Sequence, residues 1–236
     1  MGIFMSKIVV TIHQPDFMPW LGFFCKINRA DTYVVLDHVT NKYNDQSWFR
    51  RVKLATKMGD FWLTISVKKP LKSSFIPINE MEINKSVNYI KMLKTIEQTY
   101  ANTPFFNDIF PFVQKWFISD EQLLSRRNMN FIEDIMQLLK IDTKIIYSSR
   151  LGCQLKSNEL LIEILKSQNA TTYLCGDGAE GYQKDELFLE KSIGLEYNKF
   201  KPKAYFQSNT KSFQSGLSVI DCLMNIGPKE TQKIIK

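Results

Sequence analysis

Thr11-Ile12-His13-Gln14-Pro15-Asp16-Phe17-Met18-Pro19-Trp20 delivers an imidazole, an amide and a carboxylate from a β-branched run into one proline-punctuated turn. Imidazole titrates near neutral pH, so His13 is the first candidate for acid-base chemistry; His38 is the only other histidine. Gln14 and Asp16 are the polar groups beside it. A strand-end histidine can also do no more than hydrogen-bond backbone and hold a turn, and the residues alone leave both readings open.

A second set of groups suits anions and sugars. Lys26, Arg50 and Arg51, with Lys53, Lys68 and Lys69, offer a phosphate surface, arginine as a planar fork and lysine as a point charge. Trp20 and Trp48 offer flat faces for a sugar or base, although burial is the commoner fate of tryptophan. Asp37, directly after a strand, offers an acceptor for hydroxyls. Gly176-Asp177-Gly178-Ala179-Glu180-Gly181 has the spacing of a dinucleotide fingerprint, with Glu196 about 20 residues downstream. Asp177 and Glu180 would place two carboxylates against a pyrophosphate, and too little chain follows to complete a dinucleotide-binding domain. The segment therefore reads as a glycine-permitted turn at a strand end, with Asp177 or Tyr182 facing a ligand hydroxyl. Cys25, Cys153, Cys175 and Cys222 lack metal or dithiol spacing and read as reduced, mostly buried thiols; no metal site is expected.

The elements that must position these groups follow from periodicity. Lys7 to Val10 and onward is a buried strand, stopped by Pro15 and Pro19. A short helix over Leu21 to Ala30 and a strand over Asp31 to Asp37 complete a βαβ unit. Trp48 to Leu54 and Phe61 to Val67 flank Gly59-Asp60 as a hairpin. From about 85 to 140 the period is helical, with Val87, Ile90, Leu93 and Ile96 on one face, then Ile109, Val113 and Phe117, then Leu123 to Leu139. Lys144 to Tyr147, a helix capped by Ser157, and Thr171 to Cys175 form a second βαβ unit. The expected fold is α/β, a mostly parallel sheet built from two βαβ units with a hairpin and a helical block inserted between them. Residues 5–228 are expected to form one domain and 229–236 a basic tail.

The chain has 236 residues, 44% of them hydrophobic, enough for a sizeable core. No apolar run approaches the roughly 20 residues of a membrane-spanning helix, and the first residues lack a secretory pattern, so a cytoplasmic location is expected. Met1 to Ser6 matches a loose N-myristoylation pattern, and Met5 could equally be the start. A net charge of +7 favours anionic partners. No nucleic-acid recognition motif and no interleaving of basic and aromatic residues stand out, so specific nucleic-acid recognition is not expected.

Several of these residues together resemble the WbqC-like protein family. They are His13-Gln14-Pro15, Pro19-Trp20-Leu21-Gly22-Phe23-Phe24, Lys26-Ile27, Ala30-Asp31 and Leu36-Asp37. Trp48 with Arg51, Tyr173-Leu174-Cys175-Gly176 with Tyr182, and Leu217 to Asp221 with Asn225-Ile226-Gly227 agree with it. Arg50 stands where the family usually has asparagine, and Phe17 where tyrosine is frequent. The resemblance implies a bacterial protein of surface-polysaccharide (O-antigen) biosynthesis, working beside other enzymes of that pathway on amino sugars carried by nucleotides. It implies a transferase that acylates or aminoacylates the amine of a nucleotide-linked sugar, with acyl-CoA, acyl carrier protein or aminoacyl-tRNA as donor. His13 would accept the proton, Gln14 and Asp37 would orient polar groups, and Arg51 with Lys26 would hold phosphate. Asp16, Trp20, Trp48, Arg50, Gly176, Asp177 and Tyr182 complete the expected substrate contacts. Two alternatives stand beside it. The strand and His13-x-Pro15 turn also resemble a degraded nucleotidylyltransferase turn, implying an ATP-dependent amide ligase, with Trp20 and Phe23 where histidines would be. The other is a noncatalytic binding or scaffold protein of the same pathway.

Overall fold

The computed structural model describes residues 6–71, 73–176 and 183–236. The β-branched opening run forms strand β1 (Val9–His13), followed by helix α1 (Leu21–Asn28) and strand β2 (Thr32–Val35). The two strands are parallel, with Val10 opposite Thr32 and His13 opposite Val35. The chain then leaves the sheet through β3 (Thr40–Lys42), β4 (Arg51–Thr56), β5 (Gly59–Thr64) and β6 (Phe75–Pro77), where β3 pairs antiparallel with β6 and β4 with β5. Helices α2 (Tyr89–Tyr100), α3 (Phe106–Ile118) and α4 (Leu124–Leu138) follow. The chain returns as β7 (Lys144–Tyr147), then runs through α5 (Ser157–Ser167), β8 (Thr172–Cys175), α6 (Asp185–Leu189) and β9 (Gly194–Tyr197) to α7 (Val219–Ile235).

The main sheet is all parallel in the order β7-β2-β1-β8-β9. Counting only these strands along the chain, the order is 3-2-1-4-5, so the direction of winding reverses between β1 and β8. These two strands pair over only Val9 with Thr172 and Val10 with Tyr173. Beyond that point the Thr11 hydroxyl donates to the Leu174 carbonyl at 2.8 Å. Doubly wound sheets bind ligands outside the carboxyl ends of the strands where the order reverses; here those ends are His13 of β1 and Cys175 of β8.

Alternation along the strands assigns the two faces. Val10, Ile12, Val34, Tyr173 and Cys175 pack with Ile164 and Leu165 of α5 and Phe188 of α6. Tyr33 and Val35 turn to the other side, into a larger core with Phe23, Phe24 and Ile27 of α1 and residues of α3, α4 and α7. Burial on both faces explains why β1, β2 and β8 read as apolar runs rather than as alternating strands.

The parallel α/β sheet with an inserted hairpin and helical block matches the expectation, and four details differ. First, β7 and β8 are not neighbours: α5 carries the chain from one sheet edge past β2 and β1. Second, Val87 precedes α2 and Ile90 is 64% exposed, so the helix instead buries Ile96 and Tyr100, one turn apart. Third, Ser157 takes a φ of +55° and caps nothing, while Glu163 accepts from the N–H groups of Gln154 and Leu155. Fourth, residues 229–236 are not a tail. α7 passes Gly227, whose φ is +78°, and Pro228 restarts the helix with its φ already set, so that Ile235 is buried. All four cysteines are free and buried, as expected. The loose myristoylation pattern at Gly2 lies outside the described residues.

Candidate functional site

Pro15 and Pro19 end β1, and what fixes the turn after it comes from far along the chain. Fully buried Asn128 of α4 donates to the carbonyls of Pro15 (2.8 Å) and Phe49 (2.9 Å) and accepts from the Trp116 indole N–H (3.2 Å). The Phe17 N–H donates to the Trp48 carbonyl at 2.9 Å, and the Phe17 ring packs on Trp116 with centroids 4.8 Å apart. Every polar group that ties the turn down is therefore itself satisfied, which lets a turn of this polarity sit in the interior.

On this turn, His13 Nδ1 lies 3.0 Å from the Gln14 carbonyl and 3.7 Å from an Asp16 carboxylate oxygen. A carbonyl can only accept, so Nδ1 carries the hydrogen and Nε2 keeps its lone pair. The ring stands edge-on to Phe23 at 5.2 Å, with about a third of the side chain exposed. Lys26, buried on the second turn of α1, leans toward the helix N-terminus as helical side chains do. That brings its ammonium within reach of His13, Asp16 and the end of β8; a β-carbon on Gly176 would lie 3.8 Å from Lys26 Nζ.

Burial and the Lys26 charge hold the His13 imidazole far below its ordinary range, at about 3, against the pull of the Gln14 carbonyl. Burial drives the Asp16 carboxyl up to about 7, although Lys26 opposes it. Both shifts follow from removing charge from water. His13 is thus a neutral imidazole at pH 7, and the group whose proton affinity matches neutral pH is Asp16. The Tyr33 hydroxyl closes the cluster from β2, donating to the His13 carbonyl at 3.3 Å, and burial raises it well above the usual phenol range.

The structure brings His13, Asp16, Lys26 and Gly176 together at the reversal point, and ties most of the other expected residues elsewhere. Gln14 neighbours the cluster, its Oε1 accepting from Asn41 of β3 at 3.3 Å. Asp37 spends both oxygens on the turn after β7: Oδ1 accepts from the Ser148 hydroxyl and the Ser149 N–H, Oδ2 from the Ser149 hydroxyl. Arg50 is a buried strut, its guanidinium donating to the carbonyls of Ile65 and Asp45. Arg51 donates to Gln46 Oε1 and lies 4.1 Å over the Trp62 ring, which meets Trp48 edge-on at 5.1 Å. That half-exposed trio sits on the β4–β5 hairpin and the turn before it. Trp20 covers Gly22 so closely that an added β-carbon would lie 2.3 Å from its indole, and it meets Phe200 at 5.8 Å. Asp177 and Tyr182 lie outside the described residues. Glu196, the acidic partner a dinucleotide site would need, is paired with Lys7 and Arg29.

Nothing local in the sequence distinguishes Asn128 from any other mid-helix asparagine. Asp221 is similar: it is fully buried and accepts from Tyr100, Tyr205, Gln207 and Asn209, which fastens the 205–216 segment onto α7. The expectation that basic and aromatic residues do not interleave fails at Lys199-Phe200-Lys201-Pro202-Lys203-Ala204-Tyr205-Phe206; Lys199, Lys201 and Lys203, with Arg29, Lys236 and the Lys233–Glu230 pair, line a groove of about 740 Å³. Among the described residues no cluster of histidine, cysteine, aspartate or glutamate is placed to hold a metal, and no helix is long and apolar enough to cross a membrane.

No solved structure matches the chain. It is 23% identical over 225 residues to the uncharacterized protein Rv1507c of Mycobacterium tuberculosis, covering 94% of this chain and 95% of that one. A match to the WbqC-like protein family runs over residues 14–233, from the glutamine after His13 almost to the end of α7, and the chain belongs to that family.

Proposed function

We propose that the crevice between β1 and β8 binds a nucleotide-linked amino sugar of surface-polysaccharide synthesis and transfers an acyl or aminoacyl group to its amine. The observation that carries this reading is the cluster of neutral His13, Asp16 and buried Lys26 at the reversal point of a nucleotide-type sheet. Lys26 and the backbone at Gly176 suit the pyrophosphate. The amine must lose a proton to attack an ester or thioester carbonyl. His13, a third exposed with Nε2 unprotonated, is the group to take that proton, Asp16 supplies the proton affinity near neutrality, and the proton leaves with the donor's alcohol or thiol as the C–O or C–S bond breaks. The lysine-rich groove beside α7 suits a donor carried on a polyanion, such as aminoacyl-tRNA or an acidic carrier protein, better than a small neutral donor.

Incubation with a nucleotide-linked amino sugar and a set of acyl and aminoacyl donors should add the acyl mass to the sugar, read by mass spectrometry. His13→Ala and Asp16→Asn should each abolish it; full turnover by either variant would remove the assigned pair. The same strand order also favours an ATP-dependent amide ligase, with Lys26 on the triphosphate. ATP-dependent release of pyrophosphate in the assay would select that chemistry.

A further inference from the structure

One cavity plays no part in the reading above. Of about 420 Å³, it opens past the ends of β2 and β7 against the first half of α4. Val35 forms part of its wall and is the β2 residue directly opposite His13. Adjacent strands lie about 4.8 Å apart, so the cavity begins one strand away from the imidazole, on the same face of the sheet. α4 serves both places: Asn128 pins the His13 turn, while Met129 and Asn130 face the cavity.

Its lining is unlike that of the crevice. Asp37, Glu121 and Glu133 face Arg126 and Arg150, so carboxylates outnumber guanidiniums. Most of these groups are already engaged: Asp37 holds the β7 turn, Glu121 accepts from the Leu123 N–H and lies 4.0 Å from the Arg126 guanidinium, and Arg150 lies 5.1 Å over the Tyr147 ring. Glu133 accepts one hydrogen bond on Oε1, from the Tyr147 hydroxyl at 3.3 Å, and has a second oxygen to offer. Asn79 Oδ1 is buried and accepts no hydrogen bond among the described residues. A buried acceptor without a donor costs about 1–3 kcal/mol, and a ligand N–H or O–H would relieve it. The site therefore combines one orphaned acceptor, a carboxylate oxygen left over on Glu133, adaptable amides and an apolar wall from Val35 and Met129. With one carboxylate in excess, that chemistry suits a polyhydroxylated ring bearing an ammonium better than it suits a phosphate.

We propose that this cavity is the acceptor-sugar subsite, which seats the amine-bearing ring through Glu133 and Asn79 while the nucleotide phosphates lie on the Lys26 side of His13. The inference rests on the transferase reading and divides its substrate between two places of opposite charge. The ring would sit one strand from His13, so its amine reaches the imidazole without moving the phosphates.

Ligand-observed saturation-transfer NMR on the whole chain tests it, with glucosamine, N-acetylglucosamine and uridine diphosphate as separate probes. Glucosamine and uridine diphosphate should both bind without competing, and N-acetylglucosamine should bind more weakly than glucosamine. Glu133→Gln and Asn79→Ala should each weaken glucosamine by about tenfold, the value of one charge-assisted hydrogen bond, and leave uridine diphosphate unchanged. Lys26→Met should do the reverse. Asn130→Ala provides a third variant on the same wall should either of the first two fail to fold by thermal melt. Glucosamine binding that is indifferent to every folded cavity variant would overturn the subsite while leaving the transferase reading standing if His13→Ala still abolishes turnover. Absence of binding by both glucosamine and uridine diphosphate would overturn the subsite and the transferase reading together.

Discussion

Asn128→Leu should be among the most damaging substitutions in this protein, although leucine keeps the branched outline of asparagine. Asn128 is fully buried and satisfies three groups at once: the Pro15 carbonyl, the Phe49 carbonyl and the Trp116 indole N–H. Leucine leaves all three without a partner. Each orphaned buried group costs about 1–3 kcal/mol, and because neighbouring losses are not additive the expected total is about 4 kcal/mol. For a chain of this length that corresponds to a fall in Tm of about 10 °C. Urea unfolding followed by circular dichroism measures the free energy, and Trp116 fluorescence should shift to the red as its indole loses both its partner and its shelter. Asn128→Asp adds a sharper signature. It swaps the donating amide for a carboxylate facing two carbonyl oxygens, so it should be worse than leucine at pH 8 and recover as the pH falls and the carboxyl regains a hydrogen to donate. A loss below about 1 kcal/mol for Asn128→Leu would refute the clamp, and with it the account of how the His13 turn is held.

Asp16→Asn should stabilise the protein while abolishing its chemistry. The folded-state value of about 7 lies above the ordinary 3.8, so the native state takes up a proton between pH 7 and pH 4 that the unfolded chain does not, and the wild type gains stability as the pH falls through that window. The variant lacks this dependence and should exceed wild type at pH 8, by at most about 4 kcal/mol from three pKa units, with the difference vanishing near pH 4 in paired denaturant melts. Gly227→Ala should cost about 1–3 kcal/mol: its φ of +78° strains any β-carbon, and that atom would lie 2.7 Å from the Phe105 ring. A melt indistinguishable from wild type would contradict both effects. Reversing Lys201 and Lys203 to glutamate should flatten the salt dependence of polyanion retention on heparin, by about one unit of logarithmic slope for each lost phosphate contact; unchanged elution would separate the groove from the charge of +7.

The primary sequence determined what is local. The β-branched run stopped by Pro15 and Pro19, the β4–β5 hairpin, which turns at Lys57-Met58 rather than at the expected Gly59-Asp60, and the apolar strands buried on both faces follow from backbone sterics and short-range periodicity. For the same reason His13, Asp16, Lys26 and Gly176 could be singled out as residue types worth attention. Tertiary structure decided which of them meet and in what protonation state, since a pKa is set by burial and by charges that arrive from other elements. It moved the neutral-pH titration from His13 to Asp16 and made Arg50 a strut rather than a phosphate ligand. It also spent Asp37 on holding the β7 turn. Asn128 gains its role only because α4 packs across the end of β1, 113 residues away in the chain. The reversal of strand order between β1 and β8 is equally invisible to local patterning: which edge a strand joins depends on how α5 crosses the sheet, and that crossing places the reversal point at His13.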